Sequence, residues 1–119
     1  WLLVVGGLFG LPRWAVTAGS DDFLLLCLMQ SLHAATFGLA HLGAMFFVAR
    51  AMPPEVSASG QGVQSTAAGI GLGLATLACG PIYARVGGDA YWAMAGLSAL
   101  ASLAGAALLQ RWDGRTLKI

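Results

Sequence analysis

The chain has 119 residues, of which 58% are hydrophobic and only 9% charged, with a mean hydropathy of +0.78. Soluble domains carry about 25% charged residues, so this is a membrane chain and not a soluble enzyme domain. A net charge of +1 with no basic cluster excludes a nucleic-acid partner.

Four apolar runs follow one another, at about residues 1–18, 23–49, 61–84 and 90–110. Each is near the roughly 20 residues that cross a bilayer core, so the fold class is all-α with four antiparallel transmembrane helices. Seventeen glycines suit such a bundle, because small residues let helix backbones approach closely. Cys27 and Cys79 both fall inside apolar runs and read as packing residues, not as a disulfide.

The first run holds Gly6 and Gly10 at small-residue spacing, and one strong charge, Arg13, followed by Trp14. Two readings of Arg13 stand side by side. Its long stem can snorkel to the outer interface and meet Asp21 or Asp22, with Trp14 as an interfacial belt. Otherwise it is a cavity-facing cation for an anionic substrate or a buried carboxylate. The break at Gly19-Ser20-Asp21-Asp22 is short and polar.

The second run contains Gln30, His33, Thr36 and His41, which hydrocarbon tolerates poorly. At about 100° per residue, Gln30, His33, Phe37 and His41 share a narrow sector, with Thr36 on its flank. Facing lipid would desolvate every amide and imidazole, so this face should meet the bundle interior or a watery cavity. The alternative is structural glue between helices. Imidazole changes charge near cellular pH, which makes a proton a candidate passenger at His33. A metal or haem is not implied: two histidines eight residues apart on one helix stand roughly 12 Å apart along its axis.

Pro53-Pro54-Glu55 ends the second run, since a helix cannot continue through it. In the third run Gly69, Gly73, Thr76 and Gly80 align as one small-residue ridge, against which another helix is expected to pack. Pro81 should loosen the last turn. Gly87-Gly88-Asp89 reads as helix-ending glycines followed by an N-cap aspartate for the fourth run. Arg50, Arg111, Arg115 and Lys118 gather on one side, and Asp21, Asp22, Arg85 and Asp89 on the other. Both ends of the chain are therefore expected in the cytoplasm, in a multi-pass inner or plasma membrane protein. Every acidic residue lies in a loop or at a helix end, and no nucleophile and base pair is available for covalent catalysis.

Over nearly its whole length the chain resembles the last four helices of a twelve-helix major facilitator superfamily transporter, on its sugar-symporter and phenylpropionate-transporter branch. "LMQSLHAATFG" is similar to the tenth helix, "MPPEVSASGQGVQS" to the next cytoplasmic loop, and "GPIYARVGGDAYWAM" to the join of the last two helices. The resemblance implies a part of the second six-helix half of a transporter that moves a small solute by alternating access, with a proton and without a cofactor. It also implies missing N-terminal helices of the same chain. In a proton-coupled permease of that branch, the histidine matching His33 is followed three residues later by glutamate and preceded three residues earlier by lysine. Here those positions are Thr36 and Gln30. On the residues alone two alternatives remain: a complete four-helix drug exporter, which would need an intramembrane glutamate, and a membrane scaffold or enzyme-anchoring subunit.

Overall fold

The computed structural model describes residues 1–117; Lys118, grouped above with the basic end, lies outside them. Four α-helices form, α1 (Leu2–Gly19), α2 (Phe23–Ala51), α3 (Ser57–Val86) and α4 (Tyr91–Arg111), with 3-10 turns at Pro54–Val56 and Gly87–Ala90. Among the described residues there is no strand. The Oδ1 of Asp22 accepts the Leu25 N–H at 2.7 Å and so starts α2. Pro53 stops that helix by driving Met52 into extended backbone, at φ −99° and ψ 142°.

By length and hydropathy the described residues hold three helical stretches able to cross a membrane: Leu2–Gly19, Phe23–Ala51 and Pro54–Arg111. The sequence predicts four. The difference arises between α3 and α4, where the turn at Gly87–Ala90 joins them without an intervening coil. A straight helix of 58 residues would reach about 87 Å. The longest dimension of the protein is 49 Å, so this stretch doubles back on itself. Gly87 makes the reversal at φ 59°, a conformation that costs glycine little. Asp89 does not cap α4 as expected. It falls inside the turn, and Ala90 holds the cap position without a side-chain hydrogen bond.

The centre of the packing is α1. Gly6 lies against Ala40, Leu39 and Thr36, while Gly43 lies against Leu2 and Leu3, so α1 and α2 run antiparallel. On the other flank Gly105 meets Leu3 and Val4, Gly7 meets Ser102, and Gly10 meets Ser98, which makes α4 antiparallel to α1 as well. Ser102 Oγ closes this seam by donating to the Val4 carbonyl at 3.3 Å. Gly6 and Gly10, one pair by spacing, thus serve two different neighbours.

Helix α3 stands apart, with none of its residues buried. It meets α2 near their shared turn, where Gly60 faces Met52 and Val48, and approaches α4 where Tyr83 meets Tyr91 edge-on. At 100° per residue, Gly69, Gly73, Thr76 and Gly80 lie about opposite Gly60 and Ala67. A Cβ built on Gly69, Gly73 or Gly80 would find no described atom within 4 Å. The tight packing expected on this ridge is therefore not supplied by the other described helices. Pro81 does not interrupt the helix, which runs on to Val86.

The charges sort to the two ends. The Leu117 N–H donates to the Ala51 carbonyl at 2.7 Å and Thr116 Oγ1 to the Arg50 carbonyl at 3.4 Å. These bonds hold the segment after α4 against the end of α2 and collect Arg50, Arg111 and Arg115 there. At the opposite end Gly88 approaches the Ala18 carbonyl, which gathers Asp89 and Arg85 with Asp21 and Asp22.

Candidate functional site

Rotation along α1 decides where Arg13 points. It follows Gly6 by seven residues, nearly two full turns, and so shares the face that meets α2. Arg13 is 7% exposed, and its Nη2 donates to Gln30 Oε1 at 2.9 Å. The snorkelling reading is corrected by this contact: Arg13 pairs with neither Asp21 nor Asp22, which lie beyond the end of α1. Among the described residues the one ion pair joins Arg115 and Asp113, at 3.5 Å.

The guanidinium carbon of Arg13 lies 4.2 Å from the centre of the Trp14 ring, a cation–π arrangement. Trp14 stacks on Tyr91 of α4 at 5.8 Å and 10°, and Tyr91 meets Tyr83 of α3 edge-on at 6.1 Å. Three helices therefore meet through a line of rings that begins at a cation. Guanidinium offers five N–H donors. Its Nε is buried and has no partner among the described residues.

On α2 the expected stripe is present. His33 stacks on Phe37 at 5.8 Å and Phe37 on His41 at 5.7 Å, which gives an aromatic ladder along one face. All three are exposed, Phe37 by 63%. Gln30 begins the same face and His41 ends it about 17 Å further along the axis. Thr36 departs from the others. Its Oγ1 donates to the His33 carbonyl at 3.1 Å, and the residue lines a groove of about 450 Å³ floored by Gly6, Gly7 and Gly10 and walled by α4.

The structure thus brings Arg13 and Gln30 together, sets His33, Phe37 and His41 in one ladder beside them, and puts Thr36 on the neighbouring groove. It does not bring Gly69, Gly73 or Gly80 to any of these groups. Trp14, Tyr91 and Tyr83 were not singled out from the sequence as a unit, because their spacing along the chain carries no sign that three helices would meet there.

Comparison with known proteins gives this arrangement a context. The sequence pattern that defines the MFS_1 like family matches residues 1–94. Over 94 residues the chain is 28% identical to the "Probable 3-phenylpropionic acid transporter" of Escherichia coli (strain K12), covering 79% of this chain and 25% of that protein. The chain therefore spans about a quarter of the length of this curated relative. No solved structure matches it.

Proposed function

Because this chain belongs to the MFS_1 like family of major facilitator transporters, we propose that it is the carboxyl-terminal part of a secondary transporter's second six-helix half. In this reading the whole protein carries a small solute across the inner or plasma membrane by alternating access, with a proton. The cargo passes beside Gln30, His33, Phe37 and His41 of α2 and Arg13 of α1, with Thr36 at the edge of the path. In such folds the binding site lies near the midplane and is shared between repeats that rock around it. The remaining helices of the protein would complete the cavity and cover the small-residue ridge of α3. Both ends of this chain would face the cytoplasm, where Arg50, Arg111 and Arg115 gather.

The observation that carries the proposal is the α2 face itself. Two imidazoles and an amide at membrane depth lie along one exposed edge, and no described helix seals them off. Polar side chains placed there would be costly against acyl chains and are at home against water and solute.

Cysteine reactivity in the full-length protein tests it. With Cys27 and Cys79 replaced by serine, His33→Cys and His41→Cys should react with a membrane-impermeant maleimide, and cargo should slow the reaction. Cysteines at both positions that stay inert from either side of the membrane would place the face in lipid and overturn the transport path.

A further inference from the structure

Gln30 belongs to two environments at once. The residue is exposed on the α2 face, yet its Oε1 accepts a hydrogen bond from Arg13 Nη2 at 2.9 Å, and Arg13 is buried. A guanidinium carries donors and no acceptor, so only the oxygen of the amide can face it. Turning the amide over would set its N–H₂ against the N–H of Arg13 and lose a charge-assisted bond. The oxygen therefore points into the bundle. The N–H₂, on the other branch of the same planar group, is directed away from Arg13.

The guanidinium is itself held in place. Its carbon lies 4.2 Å from the centre of the Trp14 ring, Trp14 stacks on Tyr91, and Tyr91 meets Tyr83 edge-on. These rings come from α1, α4 and α3, so all the other helices contribute to the seat of one amide on α2. Packed backing of this kind is what fixes a polar group in a single orientation.

We infer that Arg13 is a positioning residue for the solute path: it locks the Gln30 amide with its oxygen inward and its two N–H donors offered to the exposed α2 face. The inference rests on the transporter reading above. A glutamine left free presents donor or acceptor by rotating, and here the cation removes that choice. The charge also strengthens the donors, because a hydrogen bond accepted at the amide oxygen polarises the N–H groups of the same amide. Gln30 thus offers the path a fixed pair of donors for an acceptor oxygen of the solute, whether carbonyl, hydroxyl or carboxylate. Arg13 acts on the solute through Gln30 and from behind it.

The test is side-chain nuclear magnetic resonance of the full-length protein in nanodiscs, isotope-labelled at the glutamine amide nitrogens, with the Gln30 signal assigned by its loss in Gln30→Ala. The wild-type Gln30 amide should have an order parameter near the rigid value of about 0.85, and Arg13→Met, of similar bulk and without donors, should drop it below about 0.6. Gln61, Gln64 and Gln110 should keep their values, which separates release of one amide from general loosening. Arg13→Lys restores a charged donor and should recover most of the order. Trp14→Leu, which keeps Arg13 and removes the ring beside it, should lower the order as well. A water-soluble gadolinium chelate should broaden the Gln30 signal, and a nitroxide carried on a lipid chain should not. A mobile Gln30 amide in the wild-type protein overturns the lock with no substitution at all. So do order retained in Arg13→Met, no recovery in Arg13→Lys, or broadening by the lipid-borne nitroxide alone; unchanged order in Trp14→Leu overturns the aromatic backing. A locked amide in a protein whose His33→Cys and His41→Cys variants stay inert to maleimide defeats the transporter reading and leaves the lock standing.

Discussion

Arg13 and Gln30, seventeen positions apart in the chain, meet side chain to side chain at 2.9 Å and tie α1 to α2 by a part-buried bond. The two residues stand at equal distances from the Asp21-Asp22 turn, so the antiparallel hairpin sets them opposite one another. Replacing Gln30 with alanine removes the acceptor and leaves the guanidinium with no side-chain partner among the described residues. The full-length protein in detergent should lose about 1 kcal/mol of stability, since membrane hydrogen bonds sit at the low end of the range for charged groups. A thermal unfolding midpoint that is unchanged or raised in Gln30→Ala would refute the tie.

The seam between α1 and α4 depends on glycines that cannot grow. A Cβ on Gly7 would stand 3.0 Å from the Ser102 backbone nitrogen and 3.0 Å from the Ser98 carbonyl oxygen, neither of which is a flexible tip. Gly7→Ala should therefore cost about 1–3 kcal/mol by overpacking. Gly38→Ala, which opens onto free space, should be neutral or slightly stabilising through helix propensity. Comparing the monodisperse yields of the two variants by size-exclusion chromatography decides the matter, and equal yields contradict the seam.

Gly73 separates a ridge that faces lipid from one that seats a helix. Its Cβ direction is empty among the described residues, so Gly73→Leu would be harmless if nothing else covered it. On the proposed reading, in which a further helix of the protein covers this ridge, the substitution should reduce folded yield in the full-length protein. Wild-type behaviour of Gly73→Leu would mark the ridge as a lipid-facing surface.

His33 is the candidate proton carrier on the α2 ladder. On the proposed proton-coupled reading, His33→Asn should leave uptake at a lower rate and remove most of its dependence on external pH, because asparagine keeps a polar contact and cannot carry a proton. Full retention of the pH profile assigns coupling to groups elsewhere in the protein.

The segment after α4 finishes α2. Trp112 meets Phe47 edge-on at 5.1 Å and donates its Nε1–H to the Arg115 carbonyl, which holds Leu117 where its N–H reaches the Ala51 carbonyl. Trp112→Ala should release this clasp. Hydrogen exchange at the Leu117 amide is expected to accelerate at least about tenfold, as local opening becomes easy, and an unaltered rate would mean that the clasp holds without the indole.

The positions of the helices were legible because apolar length, proline and loop polarity act locally: the predicted runs and the observed α1, α2 and α4 differ by no more than two residues at any end. Helix α3 begins at Ser57, ahead of the predicted 61, because Pro54–Val56 forms a tight 3-10 turn that feeds it directly. The α2 stripe was legible for the same reason, since helical phase alone gathers Gln30, His33, Phe37 and His41. Arg13 was harder. Its two readings differ in which neighbour it meets, and hydropathy carries no information on that; the symmetry of the hairpin about Asp21-Asp22 does. Asp89 was misread because an aspartate after two glycines fits a cap on composition, whereas the 3-10 turn runs through Gly87–Ala90 and moves the cap position to Ala90. The lone standing of α3 follows from contacts that no single helix encodes.

The bond from Ser102 to Val4 spans 98 positions, and this sets an order of assembly. A ribosome feeding the bilayer releases α1 and α2 as a hairpin that Arg13 and Gln30 can latch early, yet Gly7 and Gly10 keep an open flank throughout the synthesis of α3. The flank closes only when α4 arrives. Until then the α1 face that carries Gly7 and Gly10 lacks the Ser98 and Ser102 partners that fill it.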